Sequence, residues 1–206
     1  QRAFKNQTPE LADRILAFDT DSGVMRAEAG LSLADIYRLF LPRGWFVPVT
    51  PGTKFVTVGG MVAADVHGKN HHKDGCFGAH VLEIRLRVAD LDGLTSFYGR
   101  VAGLQLLERD NGLSRMGAEG GPVVLELLSA PDAPRRPDFS SGLFHHAILV
   151  PSRADLALAL RRIAGAGWRL TGASDHLVSE ALYLRDPEGN GIEIYHDRPR
   201  DEWPFE

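Results

Sequence analysis

Hydrophobic and polar residues alternate along residues 82–88, a pattern that predicts a half-buried β-strand. An amphipathic stretch at Leu94–Ala102 follows, and Gly103 after it is a typical end for a helix. Three further alternating runs predict strands at Leu104–Arg109, Ser114–Gly117 and Val123–Leu128. This part of the chain therefore predicts one helix and four strands in the order strand, helix, strand, strand, strand.

The same order recurs after a proline-containing linker at Ala130–Ser141. A strand at Phe144–Val150 precedes a helix at Asp155–Ala166, which Gly167 ends. The remaining strands of this second set are predicted at Trp168–Thr171, Ala181–Leu184 and Gly191–Tyr195. A repeat in the pattern of elements predicts an α+β fold of paired βαβββ modules, at residues 81–130 and 142–197 of a domain that spans 81–206. Each module is expected to lay one sheet face under its helix and to leave the other open, so that the pair forms a cupped sheet.

Residues 1–80 follow a different plan and predict a separate, smaller α+β domain. Short strands are expected at Arg14–Phe18 and Val24–Glu28, and Ser32 is a typical N-cap for a helix at Leu33–Leu41. A further strand is expected at Trp45–Val49. The stretch from residue 56 to 80 is rich in glycine and small residues, which favours close approach of the backbone to a neighbour or a ligand.

Charge and composition exclude several classes of function. The formal net charge of −4 gives no basic footprint for a nucleic acid, so no nucleic-acid partner is expected. No apolar run is long enough to span a bilayer, and the single cysteine suits a reducing compartment, so we expect a cytoplasmic protein without a membrane partner. The first residue is glutamine, which predicts a processed or excised piece of a longer chain. A small-molecule substrate is the expected partner.

Four side chains are candidates for a metal centre on the open face of the cupped sheet. Val88 and Val150 are each expected to pack under a helix, and Glu83 and His145 each lie five residues before the corresponding valine. Glu126 and Glu193 hold equivalent places in the middle of the last strand of each module. Three carboxylates and one imidazole suit Fe²⁺, Mn²⁺, Zn²⁺, Ni²⁺ or Co²⁺. The alternatives are a packed core histidine at 145, and ion-paired or solvated carboxylates at the other three positions.

His176 precedes the final hairpin and is a candidate catalytic group. An imidazole titrates near neutral pH, so it can carry protons to and from a substrate. A solvated loop histidine without a role is the alternative.

The stretches LRVADLDGLTSFYGRVAGLQLLER, GLFHHAILVPSRADL and DHLVSEALYLRDPEGNGIEIYHDRPRDEW resemble the vicinal-oxygen-chelate superfamily, which includes glyoxalases, bleomycin-resistance proteins and extradiol dioxygenases. The resemblance implies a divalent-metal enzyme that acts on a small substrate with adjacent oxygens, as a dioxygenase or as a lyase or isomerase. It implies that His145 and Glu193 are metal ligands. Extradiol enzymes carry histidine at the position of Glu83, whereas glyoxalase-like relatives also use glutamine or glutamate there and at Glu126. A metal-free binding protein of the resistance type is the alternative within this superfamily.

The stretches PVTPGT, VTVGGMVAADVHGKNHH and GCFGAH resemble the flavin-binding domain of vanillyl-alcohol-oxidase-type FAD-linked oxidases, in the branch that acts on decaprenylphosphoryl ribose. The resemblance implies that Pro51, Gly52 and Thr53 lie along the FAD pyrophosphate. It implies that the flavin and its linker are lined by Val58, Gly59, Gly60, Ala63, His67, Gly68 and Asn70, with His67 near the isoalloxazine ring.

An FAD-dependent oxidoreductase is therefore a second functional hypothesis from a different class. The upstream glycine-rich loop and the later strands of the flavin domain do not appear in this stretch, which makes it a truncated flavin-domain fragment. A ligand as large as FAD needs most of its surface enclosed, so this fragment is not expected to bind FAD alone. A truncated motif beside a complete domain indicates a recombined fusion, and exposed strands in the fragment predict a homodimer.

Overall fold

The computed structural model describes residues 13–133 and 145–204 of the 206-residue chain. The described residues fall into two units, residues 13–81 and residues 82–133 with 145–204. Residues 134–144 lie outside the described residues, and they include most of the predicted linker and Phe144, the first residue of the next predicted strand. Within the described ranges, no helix combines the length and the apolar character needed to span a membrane.

The first unit is a two-stranded antiparallel sheet with short helices. Its elements are β1 (Ile15–Phe18), β2 (Met25–Ala27), α1 (Leu33–Phe40), α2 (Val58–Ala63), α3 (His71–Asp74) and two 3₁₀ turns at Leu41–Arg43 and Phe77–His80. Ser32 caps α1 as its sequence predicts, because the Ser32 hydroxyl accepts a hydrogen bond of 3.1 Å from the Asp35 amide. The core of this unit is a cluster of buried apolar side chains, Leu31, Leu33, Ile36 and Met61.

The strand predicted at Trp45–Val49 is wrong, because this segment pairs with no strand among residues 13–133 and 145–204 and runs as irregular chain. Its apolar residues pack against neighbouring side chains instead of forming a β-ladder. Trp45 packs edge-on against Phe18, with ring centroids 5.1 Å apart, and Val49 is fully buried. Pro48 also removes a backbone donor from the middle of the segment.

The second unit consists of two four-stranded sheets with the same topology. The first module contains β3 (Ile84–Val88), α4 (Leu91–Phe97), a π-helical turn (Tyr98–Ala102), β4 (Gln105–Asp110), β5 (Leu113–Gly117) and β6 (Val123–Ser129). The second module contains β7 (His145–Leu149), α5 (Arg153–Gly165), β8 (Leu170–Asp175), β9 (Ser179–Arg185) and β10 (Gly191–Asp197), and a 3₁₀ turn at Arg200–Glu202 follows. The strand orders are β3-β6-β5-β4 and β7-β10-β9-β8. In each sheet, the strands that come first and last along the chain lie side by side and are parallel, β3 with β6 and β7 with β10. The other neighbouring pairs are antiparallel, which confirms the predicted βαβββ repeat.

Each sheet buries one face under its helix and leaves the other face more open. Leu86 and Val88 of β3 are buried, whereas Arg85 and Arg87 between them are exposed. In β10, Ile192 and Ile194 are buried, and the intervening Glu193 is only partly covered. Because side chains alternate along a strand, this burial pattern separates a helix-facing set from an open-face set.

Asp186 organises the loop between β9 and β10. One carboxylate oxygen, Oδ1, accepts hydrogen bonds from the backbone amides of Glu188 and Asn190, at 2.9 and 2.8 Å. The other, Oδ2, accepts from the Asn190 side chain at 2.8 Å and from the buried Tyr98 hydroxyl at 3.1 Å. Since Tyr98 belongs to the first module, this carboxylate also joins the two modules.

Glu188 makes a second connection between the modules. Its Oε1 atom accepts hydrogen bonds from the amides of Ala89 and Asp90, at 2.7 and 2.9 Å, where α4 begins. A carboxylate at a helix N-terminus satisfies amides that have no partner within the helix. The loop of one module therefore completes the helix start of the other.

We expect Asp186→Ala to lower the free energy of unfolding by about 3 kcal/mol, because it leaves two loop amides and the buried Tyr98 hydroxyl without an acceptor. Tyr98→Phe removes only the hydroxyl and should cost about 1 kcal/mol. Urea denaturation followed by circular dichroism measures both. Equal losses in the two variants would show that the loop amides do not depend on Asp186.

The buried His146 side chain is expected to lower the free energy of unfolding at acid pH. Its side chain is 3% exposed, and neither ring nitrogen has a hydrogen-bond partner within the described residues. Burial, with a smaller contribution from the neighbouring His145, lowers the pKa of His146 from 6.5 to about 4. Between these values the unfolded chain binds a proton that the folded chain does not, so this histidine should reduce the free energy of unfolding by about 1.4 kcal/mol per pH unit as the pH falls.

We expect His146→Leu to remove this contribution, and the difference between the two proteins isolates it from other groups that titrate. Unfolding curves recorded at several pH values between 4 and 7 measure the difference. Parallel stability–pH profiles for the two proteins would contradict the assignment.

Candidate functional site

His145 and Glu193 meet on the open face of the second module. Gly191 is the residue of β10 that pairs with His145 in the parallel register, so Glu193 lies two residues further along the neighbouring strand. The His145 Nε2 and Glu193 Oε2 atoms are 3.0 Å apart, and both side chains are largely but not completely covered. The open-face placement predicted for these two residues is therefore what the structure shows.

Tyr183 extends this pair by one residue. Tyr183 lies directly opposite Glu193 in the antiparallel register of β9 and β10, and its hydroxyl donates a hydrogen bond of 2.9 Å to Glu193 Oε1. Each oxygen of the carboxylate therefore has its own partner, His145 on one side and Tyr183 on the other.

His176 ends the chain of polar contacts. Its Nε2 atom is 2.9 Å from the Tyr183 hydroxyl oxygen. Because the hydroxyl proton points to Glu193, the imidazole donates in this contact. The next residue, Leu177, has a φ of +68°, a conformation that costs a non-glycine residue free energy and that often occurs at functional sites. The Leu177 amide is held by Asp175 Oδ1 at 2.8 Å, which fixes the loop that carries His176.

The electrostatics favour an ionised carboxylate beside a protonated phenol. Burial works to raise the pKa of Glu193, but hydrogen bonds from His145 and Tyr183 outweigh it, and the pKa lies below its ordinary value. Burial, together with the hydrogen bond to Glu193, raises the pKa of Tyr183 to about 12. At neutral pH, Glu193 is therefore an anion and Tyr183 keeps its proton.

The His145–Glu193 pair fits part of a divalent-metal site. The imidazole nitrogen and the carboxylate oxygen are donor types that bind divalent ions, and an ion would take the place of the proton that now joins them at 3.0 Å. However, the part of the chain that the structure describes has no group of three or more His, Cys, Asp or Glu side chains arranged to hold a metal ion. The four-residue metal centre predicted from His145, Glu193, Glu126 and Glu83 therefore stays a prediction, of which the structure brings His145 and Glu193 together.

Glu126 is held by two guanidinium groups. It is 3% exposed, and its Oε2 and Oε1 atoms accept hydrogen bonds of 2.6 Å from Arg85 and 3.0 Å from Arg115. Arg115 lies opposite Glu126 just as Tyr183 lies opposite Glu193. The equivalent carboxylates of the two modules thus have cationic partners in one case and a phenol with an imidazole in the other. Two positive charges against Glu126 disfavour a cation there.

Glu83 precedes β3 by one residue and is partly buried, so the strand does not fix its direction. Its assignment as a ligand stays a prediction.

The glycines that were predicted to line a flavin serve packing within the first unit. A Cβ atom on Gly59 would lie 2.9 Å from the Ala29 side chain. A Cβ atom on Gly68 would lie 3.0 Å from the Thr50 carbonyl oxygen. Asn70 donates hydrogen bonds to the Pro48 carbonyl at 2.9 Å and to Asp74 at 2.7 Å. The assignment of Gly59, Gly68 and Asn70 as flavin contacts stays a prediction beside these packing contacts.

The remaining flavin candidates are distributed between α2 and two loops. Val58, Gly60 and Ala63 belong to α2, whose N-cap Thr57 accepts a hydrogen bond of 3.1 Å from the Gly60 amide. Pro51, Gly52 and Thr53 lie on an irregular loop, where Thr53 Oγ1 accepts from the Phe55 amide at 3.2 Å. His67 is exposed. Their assignment as flavin contacts stays a prediction.

The roles of Tyr183 and Arg115 were not found from sequence. The strand register could have identified them, since Tyr183 pairs with Glu193 and Arg115 pairs with Glu126. Counting outward from the loop at Asp186–Asn190 pairs residue 183 with residue 193 and would have identified Tyr183.

Two protein-family models match the chain. The model described as Glyoxalase/Bleomycin resistance protein/Dioxygenase superfamily matches residues 79–194. The model described as FAD binding domain matches residues 9–94. The two resemblances predicted from the sequence motifs are therefore confirmed.

Individual relatives also match separate parts of the chain. Residues of this chain are 43% identical to a catechol-2,3-dioxygenase of Bacillus subtilis over 125 residues, which cover 60% of this chain and 44% of that protein. They are 45% identical to a decaprenylphosphoryl-beta-D-ribose oxidase of Mycolicibacterium smegmatis over 78 residues, which cover 38% of this chain and 17% of that protein. The chain thus spans less than half the length of these two curated relatives.

A solved structure supports the fold. The glyoxylase/bleomycin resistance protein/dioxygenase domain from Frankia sp. EAN1pec superimposes with a TM-score of 0.50 at 22% identity, covering 57% of this chain and 91% of that one. The likeness concerns the fold of the paired modules.

We expect Tyr183→Phe to raise the pKa of the Glu193 carboxyl group, because the variant loses a hydrogen bond that favours the ionised form. A pH titration of side-chain carboxyl ¹³C chemical shifts measures the change. Tyr195→Phe is a matched control, since Tyr195 is two residues from Glu193 on the same strand. An unchanged Glu193 titration in Tyr183→Phe would contradict the hydrogen bond.

Proposed function

Since the chain belongs to the Glyoxalase/Bleomycin resistance protein/Dioxygenase superfamily, we propose that its second unit is a divalent-metal-dependent module for a small substrate with adjacent oxygens. His145 and Glu193 are the residues that hold the ion. The observation that supports this proposal is their 3.0 Å approach on the open face, where the carboxylate is ionised. Fe²⁺, Mn²⁺, Zn²⁺, Ni²⁺ and Co²⁺ all accept a mixed nitrogen and oxygen donor set.

Two protein ligands leave room for two donors from a chelating substrate. When bound, a divalent ion supplies Lewis acidity, which stabilises negative charge on a chelating oxygen. The chain itself provides orientation and a route for a proton. Tyr183 fixes the Glu193 carboxylate, and His176, at the exposed end of the contacts, exchanges a proton with solvent.

A catechol is the first substrate class to test, because a relative at 43% identity is named as a catechol-2,3-dioxygenase. Ring cleavage of that type needs O₂ as a second substrate. A lyase or isomerase reaction on a substrate with adjacent oxygens is the alternative reaction of the same site.

A metal-free small-molecule-binding protein is a second candidate. It is favoured by the lack of any group of three metal-ligating side chains among the described residues. The hydrogen-bonded row of His145, Glu193, Tyr183 and His176 would then bind a polar ligand directly.

A flavin-linked oxidoreductase is a third candidate, supported by the match of residues 9–94 to the FAD binding domain. An absorbance spectrum of the purified chain tests it, because bound flavin absorbs in the visible range and an apoprotein does not. Homodimerisation also stays a prediction, and Phe55 and Phe46 of the first unit, 82% and 60% exposed, support it.

We expect the purified chain to bind a stoichiometric divalent ion in the presence of 4-nitrocatechol, and His145→Ala and Glu193→Ala each to abolish this binding. Each variant removes one of the two protein ligands on which the proposal rests. Elemental analysis after gel filtration measures the metal. Glu126→Gln is the matched control and should retain the ion, because Glu126 is occupied by Arg85 and Arg115.

Metal retained by both alanine variants would contradict the assigned ligands. A wild-type chain that binds 4-nitrocatechol without any metal would favour the metal-free candidate. Circular dichroism of each variant confirms that the loss of metal is not a loss of fold.

A further inference from the structure

A small cleft lies on the helix side of the second unit, away from the open-face residues His145 and Glu193. It has a volume of about 220 Å³ and is bounded by α4, the π-helical turn, the end of α5 and the loop at Pro187. Ligand pockets for drug-sized molecules usually occupy about 300–1,000 Å³, so this cleft suits a single ring with one substituent.

Two aromatic side chains form one wall of the cleft. The rings of Phe97 and Trp168 are 4.9 Å apart between centroids and are tilted by 59°. The Trp168 indole is fixed, because its Nε1 donates a hydrogen bond of 2.9 Å to the Arg185 carbonyl. A fixed aromatic wall offers contact area to a flat ligand at little cost in side-chain entropy.

Arg100 gives the cleft a positive charge. It lines the cleft and is exposed, and no carboxylate within the described residues pairs with it. Guanidinium groups bind carboxylates through two parallel hydrogen bonds, which makes Arg100 suited to an anionic ligand.

Arg162 adds a second guanidinium close to this wall. It packs against Gly103, where a Cβ atom would lie 2.5 Å from Arg162 Nη2, and its buried Nε has no hydrogen-bond partner within the described residues. Ala166, four residues later on the same face of α5, lines the cleft. This guanidinium adds positive charge at Gly103, the residue that ends the π-helical turn.

The local backbone supports a binding role independently of the charges. Tyr98–Ala102 forms a π-helical turn, and both Arg100 and Val101 of this turn line the cleft. Such turns are rare and occur frequently at functional sites.

We propose that this cleft binds a small aromatic carboxylate, with its ring against Phe97 and Trp168 and its carboxylate on Arg100. The orientation follows from Arg100, because it is the charged side chain among the residues that line the cleft. The site requires no metal and does not depend on the function proposed for His145 and Glu193.

Titration of the full chain with benzoate, followed by tryptophan fluorescence, tests the site. Trp168→Phe should abolish the signal and so assign it to this cleft rather than to Trp45 or Trp203. We expect benzoate to bind saturably and Arg100→Gln to weaken it about tenfold or more, since a charge-assisted pair is lost. Neutral benzamide should bind at least about tenfold more weakly than benzoate for the same reason.

Arg38→Gln removes the same charge from the first unit and should leave benzoate affinity unchanged. Glu193→Gln should also leave it unchanged, which separates this site from the candidate metal site. The proposal is overturned by any of four results: no saturation up to roughly 10 mM, equal affinity for benzamide, unchanged affinity in Arg100→Gln, or a benzoate signal that persists in Trp168→Phe.

Discussion

The Asp186 carboxylate is the contact on which the second unit most depends. It accepts from two amides and one side chain of its own loop, which fixes the connection between β9 and β10. The register of that hairpin in turn places Tyr183 opposite Glu193. A slip by one residue would move Glu193 to the helix-facing side, where Ile192 and Ile194 now lie. The same carboxylate holds the Tyr98 hydroxyl of the other module, so one buried charge sets both the local geometry of the candidate site and the joining of the modules.

The paired architecture could be predicted from sequence because the chain shows the two-residue period of strands and the spacing of an amphipathic helix. Alternation along residues 82–88 and 191–195 identified the strands and the face of Glu193, and burial confirms both. The strand expected at Trp45–Val49 failed because an apolar run carries no information about whether a partner strand exists. The four-residue metal site stays a prediction, and one feature of it could not be read from the sequence. A carboxylate at the right place on a strand does not reveal the charge of the side chains across the ladder, and those were arginines for Glu126.

The candidate site and the helix-side cleft use opposite faces of the same sheets. The open face of the second module holds a row of polar side chains at contact distances of 2.9 to 3.0 Å. The other side carries the apolar core and, at its edge, Phe97 and Trp168 beside Arg100. Because side chains alternate across the sheet, the two sides carry different sets of residues.

Glu126 and Glu193 show how the two copies of a duplicated motif come to have different surroundings. The two carboxylates occupy matching positions, and the residues next to them on the ladder are Arg85 and Arg115 in one module and Ala147 and Tyr183 in the other. Arg85 and Arg115 both pair with Glu126, so this carboxylate acts as an internal counter-ion that holds neighbouring strands together. Matching positions of a duplicated sheet therefore differ in the charge around them, since two guanidinium groups hold Glu126 whereas a phenol and an imidazole contact Glu193.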